Sequence, residues 1–492
     1  VFFNSLMPDH NADAFKPPSV HRRTHLDVLF EYCFNGLRRW DAHYFLFVAE
    51  NGYVYENTLA FFPLFPFCAR IFANTLLLPL QYVLTYSNVL LLAAVIINFI
   101  LFVKSAKVLH ELGVRILGNE TLAFKAAQLY CINPASIFFS AAYSETMFAI
   151  LTFNGMLALQ KDNSIFASCW LGLSGLARSN GLVNFGFIAY HKLTEIVSRM
   201  ASIKHADMVD GTSLGVAVGS TAYLCLGPLA ISTALCILPF MFYQLYAYKL
   251  YCMSSTRPSD YPVHVLNYGN NEGYKMQFGN PNEWCYWTLP LSYTYIQDKH
   301  WDVGFMRYFQ FKQIPNFALA LPMVLLCVLT VGYFIKKNFV YFFSLGLSRE
   351  DFYKKFDEEK SEDDEENIGI ANRNCFVYVV HLLFLVTFAF FCMHVQVTTR
   401  FICSSNPAIY WFIATISTPA EQLNKTPRVN RYDVFRQHAS HENGDVQTGQ
   451  SSIPEDYFDW DSHSWFNKTV FAYFHLYFFV GIAAFSNFLP WT

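Results

Sequence analysis

The stretch LQYVLTYSNVLLLAAVIINFILFV, residues 80–103, decides the fold class. A helix crossing the hydrocarbon core of a bilayer needs roughly 20 predominantly apolar residues, and this run carries no formally charged side chain. The runs at 314–335, 375–395 and 469–489 meet the same test. Composition agrees, because 54% of the 492 residues are hydrophobic, 18% are aromatic and only 14% are charged, where an average soluble domain has about 25% charged residues. The chain reads as an all-α integral membrane protein, one polytopic domain over 1–492.

Basic residues set the orientation, since they collect in short cytoplasmic loops. KSAKVLHELGVRILGNETLAFK (104–125) carries Lys104, Lys107, Arg115 and Lys125, so it is assigned to the cytoplasm and 4–79 becomes a first lumenal loop. Short apolar segments at 122–139, 143–159 and 164–178 alternate across the membrane, and 182–191 descends to the basic HKLTEIVSRMASIKH. Residues 214–250 lead to a second large lumenal loop, 252–313, and 314–335 returns to Lys336-Lys337. The loop 349–373 contains the acidic run FDEEKSEDDEEN (356–367) and reads as a solvated cytoplasmic segment. Segment 375–395 rises again. FICSSNPAIYWFIATIS (401–417) either spans or dips and returns, which leaves the side of the variable polar loop 418–468 open. Sequons at Asn424 and Asn467 favour the lumen for it, whereas the one at Asn119 falls in a cytoplasmic loop and is expected to be unused. The chain opens on VFFNSLM, which resembles the tail of an apolar run, so a spanning helix or signal anchor is expected ahead of it.

The net charge of −3 and the lack of a basic aromatic patch exclude nucleic acid as a partner. No P-loop, H-E-x-x-H or G-x-S-x-G is present. The twelve cysteines form no C-x-x-C pair and no zinc site is expected; most lie in apolar segments, where a thiol acts as a small hydrophobe. Cys252 and Cys285 flank the second lumenal loop and are candidates for a disulfide if that loop faces an oxidising lumen.

On this tracing, polar groups far apart in sequence arrive on the lumenal side. They are Asp9, His10 and Asp13; Asp41, His43, Glu50 and Glu56; Tyr143-Ser144-Glu145; Arg178-Ser179-Asn180; Asp298, Asp302 and Arg307; and His394, Gln396 and Arg400. Ionisable groups at membrane depth cost several kcal/mol when unpaired, so they face cavities and mark function. Each also has a plainer reading. Asp41 precedes a short helical run closed by Gly52 and reads equally as an N-cap, and Glu145 as a group that satisfies the backbone at a turn.

Nine ordered motifs carry a resemblance over nearly the whole chain: RRWDAHYFLFVAENGYVYE (38–56), AFFPLFP (60–66), NPASIFFSAAYSETMF (133–148), LARSNGL (176–182), SYTYIQDKHWDVGF (292–305), KQIPNF (312–317), MHVQVTTRF (393–401), NPAIYWF (406–412) and NFLPWT (487–492). Together they resemble the PIG-V family of glycosyltransferases. The resemblance implies a GT-C type multi-spanning helical bundle with lumenal loops and short re-entrant or juxtamembrane helices, in the endoplasmic reticulum membrane. It implies dolichyl-phosphate mannose as donor and mannosyl-glucosaminyl-(acyl)phosphatidylinositol as acceptor, which receives its second mannose by an α-1,6 link. An accessory membrane subunit is left open. Another GT-C mannosyltransferase of lipid-linked glycan assembly and a non-enzymatic lipid carrier are the rival readings.

GT-C enzymes place a carboxylate of the first lumenal loop at the reaction centre, which points to Asp41 as general base, with Asp13, Glu56 and Glu145 as supporting acids. Arg178, Asn180, His394, Gln396 and Arg400 are candidates to hold the donor phosphate or substrate, a guanidinium fork matching phosphate oxygens. Trp40, Tyr44 and Tyr53 are candidates to stack on sugar. No D-x-D lies in the first loop, so no metal is expected, although a divalent ion is not excluded by the acids nearby.

Overall fold

The computed structural model describes residues 9–10, 14–17, 23–210, 214–253, 257–347, 368–419, 464–489 and 491, without the side chains of 201–226. Asp13, Asn424, the acidic run 356–367 and most of 418–468 lie outside the described residues.

Helices α1 His25–Phe34, α2 Asp41–Asn51 and α3 Leu64–Asn74 precede the first long one, α4 Tyr86–Leu117. Then follow α5 Glu120–Cys131, α6 Ser136–Ser140, α7 Glu145–Gln160, α8 Ser164–Ala177, α9 Phe185–Asp210 and α10 Leu214–Cys252. The short α11 Val263–Asn271 and α12 Ser292–Trp301 lead to α13 Ile314–Lys337 and α14 Phe339–Phe343, and α15 Phe376–Cys392, α16 Thr398–Ser405, α17 Ala408–Ile416 and α18 Trp465–Ser486 complete the set. Among the described residues five helices are long and apolar enough to cross a membrane, within α4, α10, α13, α15 and α18. The described residues hold no strand, only an isolated antiparallel bridge between Tyr55 and Met276.

The first span differs from the sequence reading at both ends. It starts at Tyr86, after a 3-10 turn over Leu78–Tyr82, and continues through Lys104, Lys107 and Arg115 to Leu117. The switch from apolar to basic side chains changes the solvent around the helix but not its backbone, since Lys, Ala, Leu, Glu and Arg are all good helix formers. Gly118, at φ 64°, ends it. The loop expected over 104–125 thus shrinks to Gly118-Asn119, and the Asn119 side chain caps α5 by accepting from the Leu122 N–H at 3.0 Å.

The two ends of the bundle are chemically distinct. At the basic end Lys161, after α7, pairs with Glu111 of α4 at 2.9 Å, and Lys125 donates to the Ser417 carbonyl at 2.7 Å. Residues 401–417 therefore cross the whole bundle instead of dipping back, as two helices broken at Asn406-Pro407. Lipid-depth backbone can break only where its groups are satisfied by protein. Asn406 does this, its Oδ1 accepting from the Ala408 N–H at 2.8 Å and its Nδ2 donating to the Tyr378 carbonyl at 2.9 Å. Helix α18 starts at the same basic end, where Asn467 is buried and donates to the Ile416 carbonyl at 3.0 Å. Both flanks of 418–468 sit there, at the end where Lys125 and Lys161 lie.

The other end carries α1 to α3, α11 and α12. Asp27 of α1 is buried and accepts from the Thr85 N–H at 2.8 Å and Asn88 Nδ2 at 2.8 Å, which staples α1 to the start of α4. The opposite face of α1 leaves Leu26, Val28, Leu29 and Tyr32 exposed, as befits a helix lying at a bilayer surface. The second large loop folds onto the first. Cys252 and Cys285 are disulfide-bonded with Cα atoms 5.6 Å apart, Tyr55 donates to the Val265 carbonyl at 2.6 Å, and Glu56 accepts from Trp284 Nε1 at 2.8 Å. A cross-link closing a loop of this length contributes about 3–4 kcal/mol by the chain-entropy estimate. Cys285→Ser is expected to loosen residues 257–301 and open them to limited proteolysis while the spans stay protected; an unchanged digestion pattern would refute this.

Candidate active site

Asp41 is not the N-cap of α2. Trp40 occupies that position without a side-chain cap, and Asp41 is the first helical residue. Its carboxylate, about one-third exposed, turns away from the helix axis to meet Arg400 of α16 at 2.8 Å. Arg400 also reaches Glu145 at 3.4 Å, and Glu145 is paired in turn with Arg178. Four charges from α2, α7, α8's end and α16 thus alternate in sign: Asp41, Arg400, Glu145, Arg178.

Local structure explains each placement. Glu145 opens α7, where the positive end of the helix dipole favours an acid; it is fully buried, and its Oε2 has no hydrogen-bond partner in the protein. The irregular turn before it is held by Asn98 of α4, whose Nδ2 donates to the carbonyls of Ala141 and Tyr143 at 2.5 and 2.9 Å. Arg178 leaves α8 in extended conformation, φ −153° and ψ 149°. Gly181 lets the following turn fold back on the helix, because a Cβ there would lie 2.3 Å from the Gly175 nitrogen. Asn180 ties this turn to the end of α16 by donating to Ser405 Oγ at 3.0 Å. Burial of charge is tolerated where opposite charges and hydrogen bonds compensate it, and Arg400 gains further from the rings of Phe138 and Tyr143, 5.0 and 5.5 Å from its guanidinium carbon.

Other candidates lie elsewhere. Glu56 is buried in the seam between the two large loops, with both oxygens engaged by Trp284 and Asn282. His394 contacts the Trp301 carbonyl and stacks on Tyr308, ring centroids 4.6 Å apart. Gln396 accepts from the Tyr308 hydroxyl at 3.4 Å. Asp298 and Asp302 pair with Arg307 on the exposed surface, and Asp9 pairs with Arg39 at 3.0 Å. The aromatic candidates are packed: Tyr44 lies between Phe15 and Phe61 at 4.2 and 4.3 Å, Tyr53 donates to the Phe61 carbonyl at 2.7 Å, and Trp40 meets Phe488 edge-on at 5.8 Å.

Helix α2 separates two cavities. On one flank an apolar groove of about 620 Å³ runs past Val48, Tyr53, Phe67, Leu176 and Tyr243. On the other a charged cavity of about 380 Å³ is lined by Lys16, Arg23, Arg38, Arg39, His43 and Glu50. Burial, reinforced by the charges of Arg38, Arg39 and Lys16, pushes His43 down to about 3. A histidine depressed in this way contributes its full stability above its unfolded value near 6.5 and loses it as pH falls below that, by at most about 1.4 kcal/mol per pH unit. Melting temperature is expected to drop between pH 7 and pH 5, and less steeply in His43→Phe; parallel slopes would remove His43 as the cause.

The whole chain, residues 1–492, matches the family model described as Mannosyltransferase (PIG-V). The chain belongs to the PIG-V mannosyltransferase family. A PIG-V relative named GPI alpha-1,6-mannosyltransferase 2 in Cricetulus griseus is 37% identical over 100% of this chain and 95% of its own length. The Homo sapiens protein of that name is 34% identical over the same shares, and GPI mannosyltransferase 2 of Drosophila melanogaster is 34% identical over 84% of this chain and 86% of its own. Among solved structures, the apo Archaeoglobus fulgidus oligosaccharyltransferase overlays with a TM-score of 0.39 at 11% identity, covering 95% of this chain and 56% of that one.

As a PIG-V protein the chain is a multi-pass, all-α membrane glycosyltransferase, and its charge quartet sits at the end opposite Lys125 and Lys161. The PIG-V motifs quoted above supply all four members. Among the described residues no group of three or more His, Cys, Asp or Glu is placed to hold a metal, and Asp41 and Glu145 both face arginine. The motifs contain Trp40 and Tyr143 but do not show what they do beside the quartet: the Trp40 backbone leads into Asp41, and the Asp41 N–H donates to the Tyr143 hydroxyl at 3.0 Å. A tertiary hydrogen bond across a hundred residues leaves no local pattern to read.

Proposed function

We propose that the chain transfers mannose from dolichyl-phosphate mannose to the mannose of a one-mannose glycosylphosphatidylinositol precursor, forming the α-1,6 link of the second mannose at the lumenal face of the endoplasmic reticulum. The observation that carries this reading is the partly exposed Asp41 carboxylate beside Arg400, at the end of the bundle opposite Lys125 and Lys161. The names of relatives that match the chain over its full length support a mannosyl group, a glycosylphosphatidylinositol acceptor and an α-1,6 link, and the donor is the one the family resemblance implies.

The step is a single in-line displacement with inversion at the donor's anomeric carbon. The acceptor 6-oxygen bonds to that carbon, the bond to the phosphate oxygen breaks, and the 6-hydroxyl proton passes to Asp41 as general base. The leaving group is dolichyl phosphate, stable without a proton. No second, acid carboxylate is needed, unlike the paired carboxyls of glycoside hydrolases, and the step balances without a cofactor. In this reading Arg178 and Arg400 receive the charge growing on the phosphate, and their shared pairing with Glu145 holds both guanidiniums before substrate arrives, so little reorganisation is left for the reaction. The apolar groove beside α2 suits the isoprenoid chain of the donor.

The test uses microsomes from cells depleted of their own second-mannose activity, supplied with this chain and labelled dolichyl-phosphate mannose. Conversion of the one-mannose to the two-mannose lipid is expected. Label in a different lipid-linked glycan would favour another GT-C mannosyltransferase, and lipid movement without a new glycosidic bond would favour a carrier.

A further inference from the structure

Trp40, the residue before Asp41, has φ 53° and ψ −121°. The Ala42 N–H donates to the Arg39 carbonyl at 3.1 Å, so Arg39 to Ala42 close a turn whose first central residue has the angles of type II′. That position is ordinarily glycine, because a Cβ is strained there. A tryptophan persists at such angles only when its surroundings over-determine it, and strain of this kind gathers where geometry matters. Its backbone torsion aims the next residue, Asp41.

We propose that Tyr143 is a positioning residue that clamps this strained turn and so fixes the direction of the Asp41 carboxylate; this rests on the reading of Asp41 as base. The Tyr143 hydroxyl donates to the Arg39 carbonyl at 3.2 Å and accepts from the Asp41 N–H at 3.0 Å. One phenol therefore bridges the peptide groups on either side of Trp40. Tyr143 has little freedom of its own: it is 1% exposed, and its ring packs against Phe138 and Phe485 at 5.2 and 5.6 Å. The same ring lies under the Arg400 guanidinium, so the group that fixes the carboxylate also supports its counter-ion. The Trp40 ring, held edge-on by Phe488, is the second restraint on the turn.

Tyr143→Phe keeps the packed ring and deletes only the bridge. Turnover is expected to fall about 30-fold, with KM for donor and acceptor within about twofold, since small misplacement of a reacting group lowers kcat far more than binding. A tyrosine that merely fills space would not separate the two constants. Glycine at position 40 adopts the turn without strain, so in a Trp40→Gly background the Tyr143→Phe loss should shrink to about threefold or less. As a measure that does not need Tyr143→Phe to fold, Trp40→Gly should retain more activity than Trp40→Ala, because both lose the ring but only alanine keeps the strain. Full activity of Tyr143→Phe, losses that multiply in the double variant, or Trp40→Ala outperforming Trp40→Gly would each overturn the clamp. Asp41→Asn is assayed alongside: if it is inactive while Tyr143→Phe is unimpaired, the clamp alone fails, whereas an active Asp41→Asn removes the base beneath it.

Discussion

Asp41→Asn is expected to lower turnover about a thousandfold, within the range that a positioned general base contributes, while the protein folds and reaches the membrane normally. The substitution is isosteric, and Arg400 keeps Glu145 within 3.4 Å, so no buried cation is left without an acid. The change therefore removes a proton acceptor without dismantling its surroundings. KM should move little, because the acceptor hydroxyl is still met by a polar group of the same shape. Labelling of microsomal lipids reads the outcome directly: the one-mannose intermediate should accumulate. Turnover within tenfold of the parent would take the base away from Asp41 and leave the family assignment standing.

Glu145→Gln should act differently, through the whole site. Glu145 is fully buried and is the shared partner of two guanidiniums. Arg400 still has Asp41 at 2.8 Å, but Arg178 has Glu145 as its carboxylate partner among the described residues. Breaking one side of a buried ion pair costs roughly 3–5 kcal/mol, because the stranded charge stays desolvated. The variant is expected to melt earlier in detergent and to lose at least about a hundredfold in activity, with KM for the donor raised, since the arginines proposed to meet the donor phosphate lose their alignment. A variant as heat-stable as the parent would show that Arg178 finds solvent or another acceptor when Glu145 is neutral.

Much of this arrangement is legible in the chain. Apolar length and the placement of lysine and arginine bring Asp41, Glu145, Arg178 and Arg400 to one end, and that shared end is where they meet. The sequence does not show which of their polar neighbours join them. His394 and Gln396 lie within six residues of Arg400, yet a 3-10 turn over Val395–Val397 faces them towards Trp301 and Tyr308, while α16 turns Arg400 inward. Glu56 shares the first loop with Asp41 but is taken up by a seam that forms only when residues 257–301 fold over it. The extent of α4 is hidden in the sequence for a simpler reason: a change in side-chain polarity marks where water begins, and a helix need not end there. The break at Asn406-Pro407 reads as two segments in sequence, and only the partners of Asn406 show that the chain passes straight through.

The last helix closes on the first loop. Arg39 donates from Nε to the Ser486 carbonyl at 2.9 Å, the His10 N–H donates to the Asn487 carbonyl at 2.9 Å, and Phe488 lies against Trp40, His43 and the Arg39 guanidinium. Phe488 lies 448 residues after Trp40 in the chain (488 − 40), so a ribosome has long passed the Asp41 turn before the piece that steadies Trp40 emerges. Nascent chains should carry an incompletely braced centre until α18 and the residues just after it have been made. Genetically, a stop codon shortly before Ser486 should count as a null allele.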